Sequence, residues 1–183
     1  MHLSGYFAVK QNTLLGSHFC LLTFMENILN KAQFLRSEYT PTLSSLDADA
    51  PRKWGKMNVQ QMIEHMSDYV RIASGRTPME IITPEENLPR MQAFLEGEKQ
   101  MRENTPNSLM PEIPPPVRHE TKQEAINELQ QEIDHFFAVH EQDAARETPN
   151  PFFGKLSFVQ QVQLLYKHAT HHLRQFGVEP LNP

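Results

Sequence analysis

The sequence predicts an all-α protein, and three observations lead to this fold class. Apolar residues recur at intervals of three and four in four segments of the 183-residue chain, which is the period of an amphipathic helix. Three of these segments begin with a helix-capping pattern. No segment alternates between apolar and polar residues as a half-buried strand would. Four helices in a chain of this length predict a four-helix bundle.

The first helix is predicted from Met25 to about Ser37. Its apolar stripe consists of Ile28, Leu29, Ala32, Phe34 and Leu35. Pro41 is expected to end the helix, because proline has no backbone N–H and its ring crowds the preceding turn. The polar residues that follow, with Pro51 as a further breaker, predict a short connection.

The second helix is predicted over residues 58–74. Asn58 is a suitable N-cap, and Gln61 three positions later completes a capping box. Gly75 is placed to terminate the helix. His65 falls beside the apolar positions of this helix and is therefore expected to point toward its buried side.

A long Pro-rich connection separates the second and third helices. Residues 76–120 contain many prolines, including the triplet Pro114–Pro116, so they cannot form one long helix. A short helix is predicted at Arg90–Arg102. A connection of this length allows the second and third helices to run parallel, whereas the shorter links elsewhere favour antiparallel neighbours.

The last two helices are predicted from about Lys122 to His140 and from Ser157 onward. Thr121 with Glu124 forms a capping box, and Ser157 is a suitable N-cap for the fourth helix. The core stripe of this fourth helix is predicted to be Phe158, Val162, Leu165, Ala169, Leu173 and Phe176.

The domain organisation predicted from these elements is a single bundle over residues 25–178. Residues 1–24 are expected to form a poorly ordered N-terminal extension, and residues 179–183 a C-terminal tail. No apolar run approaches the roughly 18–20 residues needed to cross a bilayer, so no membrane association is expected. The single cysteine, Cys20, cannot form an internal disulfide, which favours a reducing, cytoplasmic location.

Overall charge argues against a nucleic-acid partner. The net charge is −5 and the pI is about 6.0. A phosphate-binding surface would need clustered lysine and arginine, and the sequence has no dense basic run. A small-molecule partner is the expectation instead.

Two histidines of the fourth helix suggest a metal site. His168 and His172 are four residues apart and therefore share one helix face. With His65 from the second helix they would form a three-histidine set, which is typical of a catalytic zinc site with an open position. The spacing alone is weak evidence, because the pair lacks the glutamate of the H-E-x-x-H pattern. The alternative is that all three are half-buried histidines without a metal.

Two sequence blocks resemble the DinB/YfiT-like metalloenzyme family, and more closely an uncharacterised DinB-like branch of it. The blocks are WGKMNVQQMIEHM at 54–66 and FGKLSFVQQVQLLYKHATHHLRQFGV at 153–178. The resemblance implies an up-down-down-up four-helix bundle. It also implies a divalent metal, zinc or nickel, held by His65, His168 and His172, with the adjacent His171 not a ligand.

The resemblance further implies a reaction class and a partner. Characterised relatives include thiol-dependent S-transferases and an isomerase that use bacillithiol, mycothiol or glutathione, and the family includes dimers. The expected function is therefore a thiol S-transferase or a hydrolase, in which a metal-activated water or thiol acts on a small molecule. A low-molecular-weight thiol is the cofactor that the resemblance implies, and a homodimer is the assembly. The alternative function is a non-catalytic helical-bundle binding or stress-response module with a structural or vestigial histidine cluster.

Three further residues are candidates for the substrate pocket, namely Trp54, Tyr69 and Arg174. Each of them can also be explained without a substrate. Trp54 and Tyr69 would then be core residues, and Arg174 a solvated side chain near the end of a helix. Arg174 and Gln175, which follow His172, are candidates for orienting the substrate or a group behind the metal ligands. Glu64 is not expected to act as the base, since it lies about 100° around the helix from His65.

Overall fold

A computed structural model describes residues 22–105 and 107–179. Within them the fold is all-α, as predicted, with five helices and one small sheet. Helix α1 comprises residues 22–33, a π-helical turn Phe34–Glu38 and the α-helical residues Tyr39–Ser45. The other helices are α2 (Val59–Ser74), α3 (Leu88–Glu96), α4 (Lys122–Gln142) and α5 (Phe158–Gln175), and a 3₁₀ turn, Glu85–Asn87, precedes α3. Strands β1 (Thr148–Asn150) and β2 (Gly154–Leu156) precede α5.

The predicted starts of three helices are confirmed. The Asn58 side chain accepts from the Gln61 backbone N–H at 2.8 Å, and the Gln61 side chain accepts from the Asn58 N–H at 3.0 Å. Thr121 caps α4 in the same way, and Ser157 is the N-cap residue of α5. These bonds satisfy backbone donors that the first turn of a helix otherwise leaves free.

Pro41 does not end the first helix, so that prediction is wrong. The helix passes through Pro41 and ends at Ser45. A π-helical turn lies just before it, in which the Tyr39 N–H donates to the Phe34 carbonyl five residues back. A proline ring crowds the carbonyl four residues earlier, here that of Ser37 within the π turn. Because the π turn widens the helix at this point, the chain can continue as a helix past the proline.

The segment before α5 contains two short strands, although no alternation in the sequence predicted a strand. Antiparallel pairing aligns Thr148 with Leu156 and Asn150 with Gly154. Strands of three residues are too short to show alternation, and β1 also contains a proline. The Thr148 hydroxyl donates to the Ala73 carbonyl at 2.8 Å, which ties this hairpin to the end of α2 and positions the start of α5. The short helix predicted at Arg90–Arg102 begins and ends earlier, as α3.

Two apolar clusters bury α5 from different sides. The larger cluster joins α1, α2, α4 and α5 and includes the fully buried Tyr39, Met62 and Phe136. The smaller one packs α3 and the hairpin against α5 and consists of Leu95, Phe153, Leu156 and Leu164. The core of α5 is therefore wider than the predicted stripe, and even Gln163 and Lys167 are buried.

The chain ends lie partly beyond this description. Residues 22–24 of the predicted extension are helical and continue into α1, whereas residues 1–21 lie outside the described residues, as do residues 180–183 of the predicted tail. Among the described helices, none is both long and apolar enough to cross a membrane.

A charged network joins α2, α4 and the connection before α4. The Glu128 carboxylate accepts from Arg71 at 2.6 Å and from Arg118 at 3.0 Å, and lies 3.2 Å from His119. Burial by itself would raise the pKa of Glu128, but hydrogen bonds from Arg71, Arg118 and His119 outweigh it and lower this pKa to about 2.

Replacing Glu128 by glutamine is expected to lower stability at neutral pH by about 2 kcal/mol. An unfolded glutamate has a pKa of about 4.3, so the stabilisation is complete above that pH and is lost as pH falls toward 2. Urea unfolding should therefore show a larger acid-dependent loss of stability in the wild-type chain than in Glu128→Gln. The exposed Glu120→Gln is the matched control, and equal acid dependence in wild type and Glu128→Gln would contradict the assignment.

Candidate metal centre

Three histidines from two helices converge on one point. His65 comes from the middle of α2, and His168 and His172 lie one turn apart on α5. The Nε2 atom of His168 is 3.1 Å from Nε2 of His65 and 2.9 Å from Nε2 of His172. These three side chains form the group within the described residues that could hold a metal ion.

The spacing of the nitrogens matches that of metal ligands. Two nitrogens bound to one zinc ion at about 2.0–2.1 Å lie about 3.3 Å apart in a tetrahedron, and about 2.9 Å apart in neighbouring octahedral positions. The observed separations of 2.9 and 3.1 Å lie close to these values. The histidines would therefore need little movement to share an ion.

All three imidazoles are neutral at pH 7. Burial lowers the pKa of His65 to about 4, against the opposing charge of Asp68. Burial also lowers the pKa of His168 and of His172 well below the usual range, and the neighbouring histidines lower both further. Neutral imidazole is the form that binds a metal, because a protonated ring has no free lone pair.

Gln175 orients His172 for metal binding. Its side-chain NH₂ group donates to the Trp54 carbonyl at 2.8 Å, which turns its oxygen toward His172. The Nδ1–H of His172 donates to that oxygen at 2.8 Å, so the Nε2 atom carries the free lone pair. Gln175 therefore lies behind a candidate metal ligand and fixes its ring orientation.

Gly55 makes this contact possible, and nothing in the sequence indicated its role. It has a φ of +74°, a conformation that favours glycine. A Cβ atom at this position would lie 2.4 Å from Nε2 of Gln175. The close approach of this loop to α5 therefore depends on Gly55 having no side chain.

Hydrogen bonds among the three rings cannot provide a partner for every ring nitrogen. His168 Nε2 faces two neighbouring nitrogens, and a proton there could serve only one of them. Its Nδ1 atom is buried without a hydrogen-bond partner among the described residues. Tyr69 packs edge-on against this ring, with centroids 4.2 Å apart. Converging lone pairs in a buried setting favour a cation, so the donor set fits a divalent metal.

The neighbouring polar residues are engaged elsewhere. The Glu64 carboxylate accepts from the backbone N–H groups of Arg118 and His119, at 2.7 and 3.1 Å, and so holds the connection to α2. His171 lies outside the three-histidine group. This arrangement agrees with excluding Glu64 as a base and His171 as a ligand.

A cleft of about 180 Å³ lies next to the centre and includes two of the three predicted pocket residues. Trp54 and Arg174 line it together with His171, whereas Tyr69 is not among its lining residues. The His171 ring centroid is 5.7 Å from that of Trp54 and 5.2 Å from that of His172. The His171 side chain thus lies between the cleft and the histidine cluster. Tyr69 instead contacts His168 directly, and burial raises its pKa to about 12 despite a hydrogen bond from Asn150.

The fold and the site together define an all-α protein with a three-histidine candidate metal centre. The chain belongs to the DinB superfamily, whose family profile matches residues 33–176. This superfamily includes metal-binding enzymes. No curated protein and no solved structure matches the chain significantly.

Proposed function

We propose that the chain is a metal-dependent enzyme in which His65, His168 and His172 hold a zinc or nickel ion. The observation that carries this proposal is the convergence of three neutral Nε2 atoms, with two of the separations at 2.9 and 3.1 Å. In such a site the ion supplies Lewis acidity and activates a water or a thiol. The proposed reactions are S-transfer to a small electrophile and hydrolysis.

The residues of the chain position and protect this centre. Two ligands on one helix and one on a facing helix keep the geometry rigid, since both helices are packed into the main core. Gln175 holds His172 with its Nδ1 atom protonated. The adjoining cleft, lined by Trp54 and His171, is where a small molecule or a low-molecular-weight thiol would lie.

The proposal extends to the helix arrangement and to self-association. An up-down-down-up order of α1, α2, α4 and α5 follows from the long connection before α4, and it would bring the three histidines together within one bundle. A homodimer is supported by exposed apolar side chains along α1, where Leu22, Met25 and Leu29 are 59%, 45% and 64% exposed.

Metal reconstitution of the full chain tests the proposed activity. Metal-free protein would be reloaded with zinc or nickel and assayed for thiol transfer, using bacillithiol, mycothiol or glutathione, and for ester hydrolysis. Turnover is expected only with metal, and metal removal should change the melting temperature little. If the metal-loaded protein turns over no substrate and metal removal collapses its stability, the non-catalytic alternative is favoured instead.

A further inference from the structure

A second, smaller cleft adjoins the first one and is rich in basic side chains. It measures about 80 Å³ and is lined by residues that include Lys31, Glu98, Gln100, Lys167, Thr170 and Arg174. Gln100 and Arg174 line both clefts, so the two are adjacent. Lys31 lies on α1, whereas Lys167 and Arg174 lie seven residues apart on α5, so the sequence contains no dense basic run.

Two lysines of this cleft are buried with little countercharge. The Lys31 side chain is 4% exposed, and its amine donates to the neutral Gln163 at 2.7 Å. Lys167 is 7% exposed, and its amine donates to the backbone carbonyls of Gly97 and Lys99. The charge of the Glu98 carboxylate acts on both lysines, but this carboxylate is 3.7 Å from the Lys31 amine and its side chain is 81% exposed. Buried cations without full compensation favour a bound anion.

Arg174 adds a third cation whose donors are free. Its guanidinium makes no hydrogen bond or ion pair within residues 22–105 and 107–179, although it is only partly exposed. Its charge acts on the two rings beside it, Tyr166 and His171. A guanidinium offers five N–H donors in a planar fork that matches a carboxylate or a phosphate.

We infer that the cleft between Lys31, Lys167 and Arg174 binds the anionic end, a carboxylate or a phosphate, of the small molecule that reacts at the three histidines. This inference rests on the proposed function, because it assigns the substrate class of the same site. A volume of about 80 Å³ accommodates an anionic group but not a whole metabolite. The remainder of the molecule would lie in the larger cleft, beside Trp54 and His171.

Anion titration of the full-length chain tests this inference. Inorganic phosphate and succinate would be added separately, with sodium chloride keeping the ionic strength constant. NMR would follow the arginine Nε–H signals and the backbone amides of residues 97–101 and 167–174. The variants are Arg174→Gln and Lys31→Gln, with the exposed Arg90→Gln as the matched control for a lost positive charge.

We expect at least one anion to bind with a dissociation constant in about the millimolar range. Arg174→Gln should weaken binding about tenfold or more, and Lys31→Gln should weaken it in the same direction, while Arg90→Gln should have no effect. Binding of phosphate without succinate, or the reverse, would identify the anionic group. Absence of both, or binding that neither Arg174→Gln nor Lys31→Gln weakens, would overturn the inference.

Metal content measured on the same samples separates this inference from the proposed function. One metal per chain without anion binding would refute the anion site and leave the metal enzyme intact. Anion binding at Arg174 without metal uptake would refute the metal enzyme, leave the cleft as an anion site and remove its link to the histidines.

Discussion

A chain that carries both His168→Ala and His172→Ala is expected to bind no zinc or nickel, whereas the wild type binds about one ion per chain. The double change removes two of three converging nitrogens and leaves His65 as the remaining ligand of the set. A single imidazole cannot hold a divalent ion against water. Elemental analysis after desalting, together with calorimetric zinc titration, measures the loss.

The neighbouring histidine supplies a matched control. His171 is on the same helix turn but lies outside the three-histidine group, so His171→Ala should keep the metal. Circular dichroism should show that both proteins remain helical. Stoichiometric metal in the double variant would place the ion elsewhere, and loss of metal in His171→Ala alone would require a different ligand set.

Replacing Gln175 by alanine should weaken metal binding by about 10–100-fold, which corresponds to about 1.4–2.7 kcal/mol. Gln175 accepts the Nδ1–H of His172 at 2.8 Å and is itself held by the Trp54 carbonyl. Without it, the His172 ring can rotate or place its proton on Nε2, and either change blocks the lone pair. Competition with a chromogenic zinc chelator gives the affinity.

Gly55→Ala disturbs the same contact from the other side and should weaken metal binding in the same direction. Its new Cβ would lie 2.4 Å from Nε2 of Gln175, on a backbone with φ of +74°. Gly97→Ala is the matched control, because its φ is −79° and the nearest atom would be 3.4 Å away. Unchanged affinity in both Gln175→Ala and Gly55→Ala would mean that His172 needs no such support.

Several features of the fold could be predicted because they depend on nearby residues. The capping box of Asn58 and Gln61 is formed within one turn of helix, and so is that of Thr121 and Glu124. The i,i+4 spacing of His168 and His172 predicted their shared face for the same reason. Periodicity placed His65 near the buried side of its helix and made it a candidate third member, and the family resemblance then implied the same three ligands.

The wrong predictions concern features that a single residue or a single helix stripe does not determine. The prediction that Pro41 ends α1 treated proline by itself, although a π turn before it accommodates the ring. The pattern on α5 predicted one apolar stripe, but α3 and the hairpin cover a second side of this helix. Lys167 is therefore buried at a position that an amphipathic pattern assigns to solvent.

The sequence by itself determined the four main helices, three of their starts and the two-histidine face, because these depend on backbone hydrogen bonds and side chains within a few residues. The tertiary structure decided the rest, because each remaining contact joins distant residues. His65 meets His168 across 103 residues, Gln175 meets the Trp54 carbonyl across 121, and Lys31 meets Gln163 across 132. The separation of the three nitrogens, the tautomer of His172 and the burial of the cleft cations follow from packing these helices together, which no local pattern specifies.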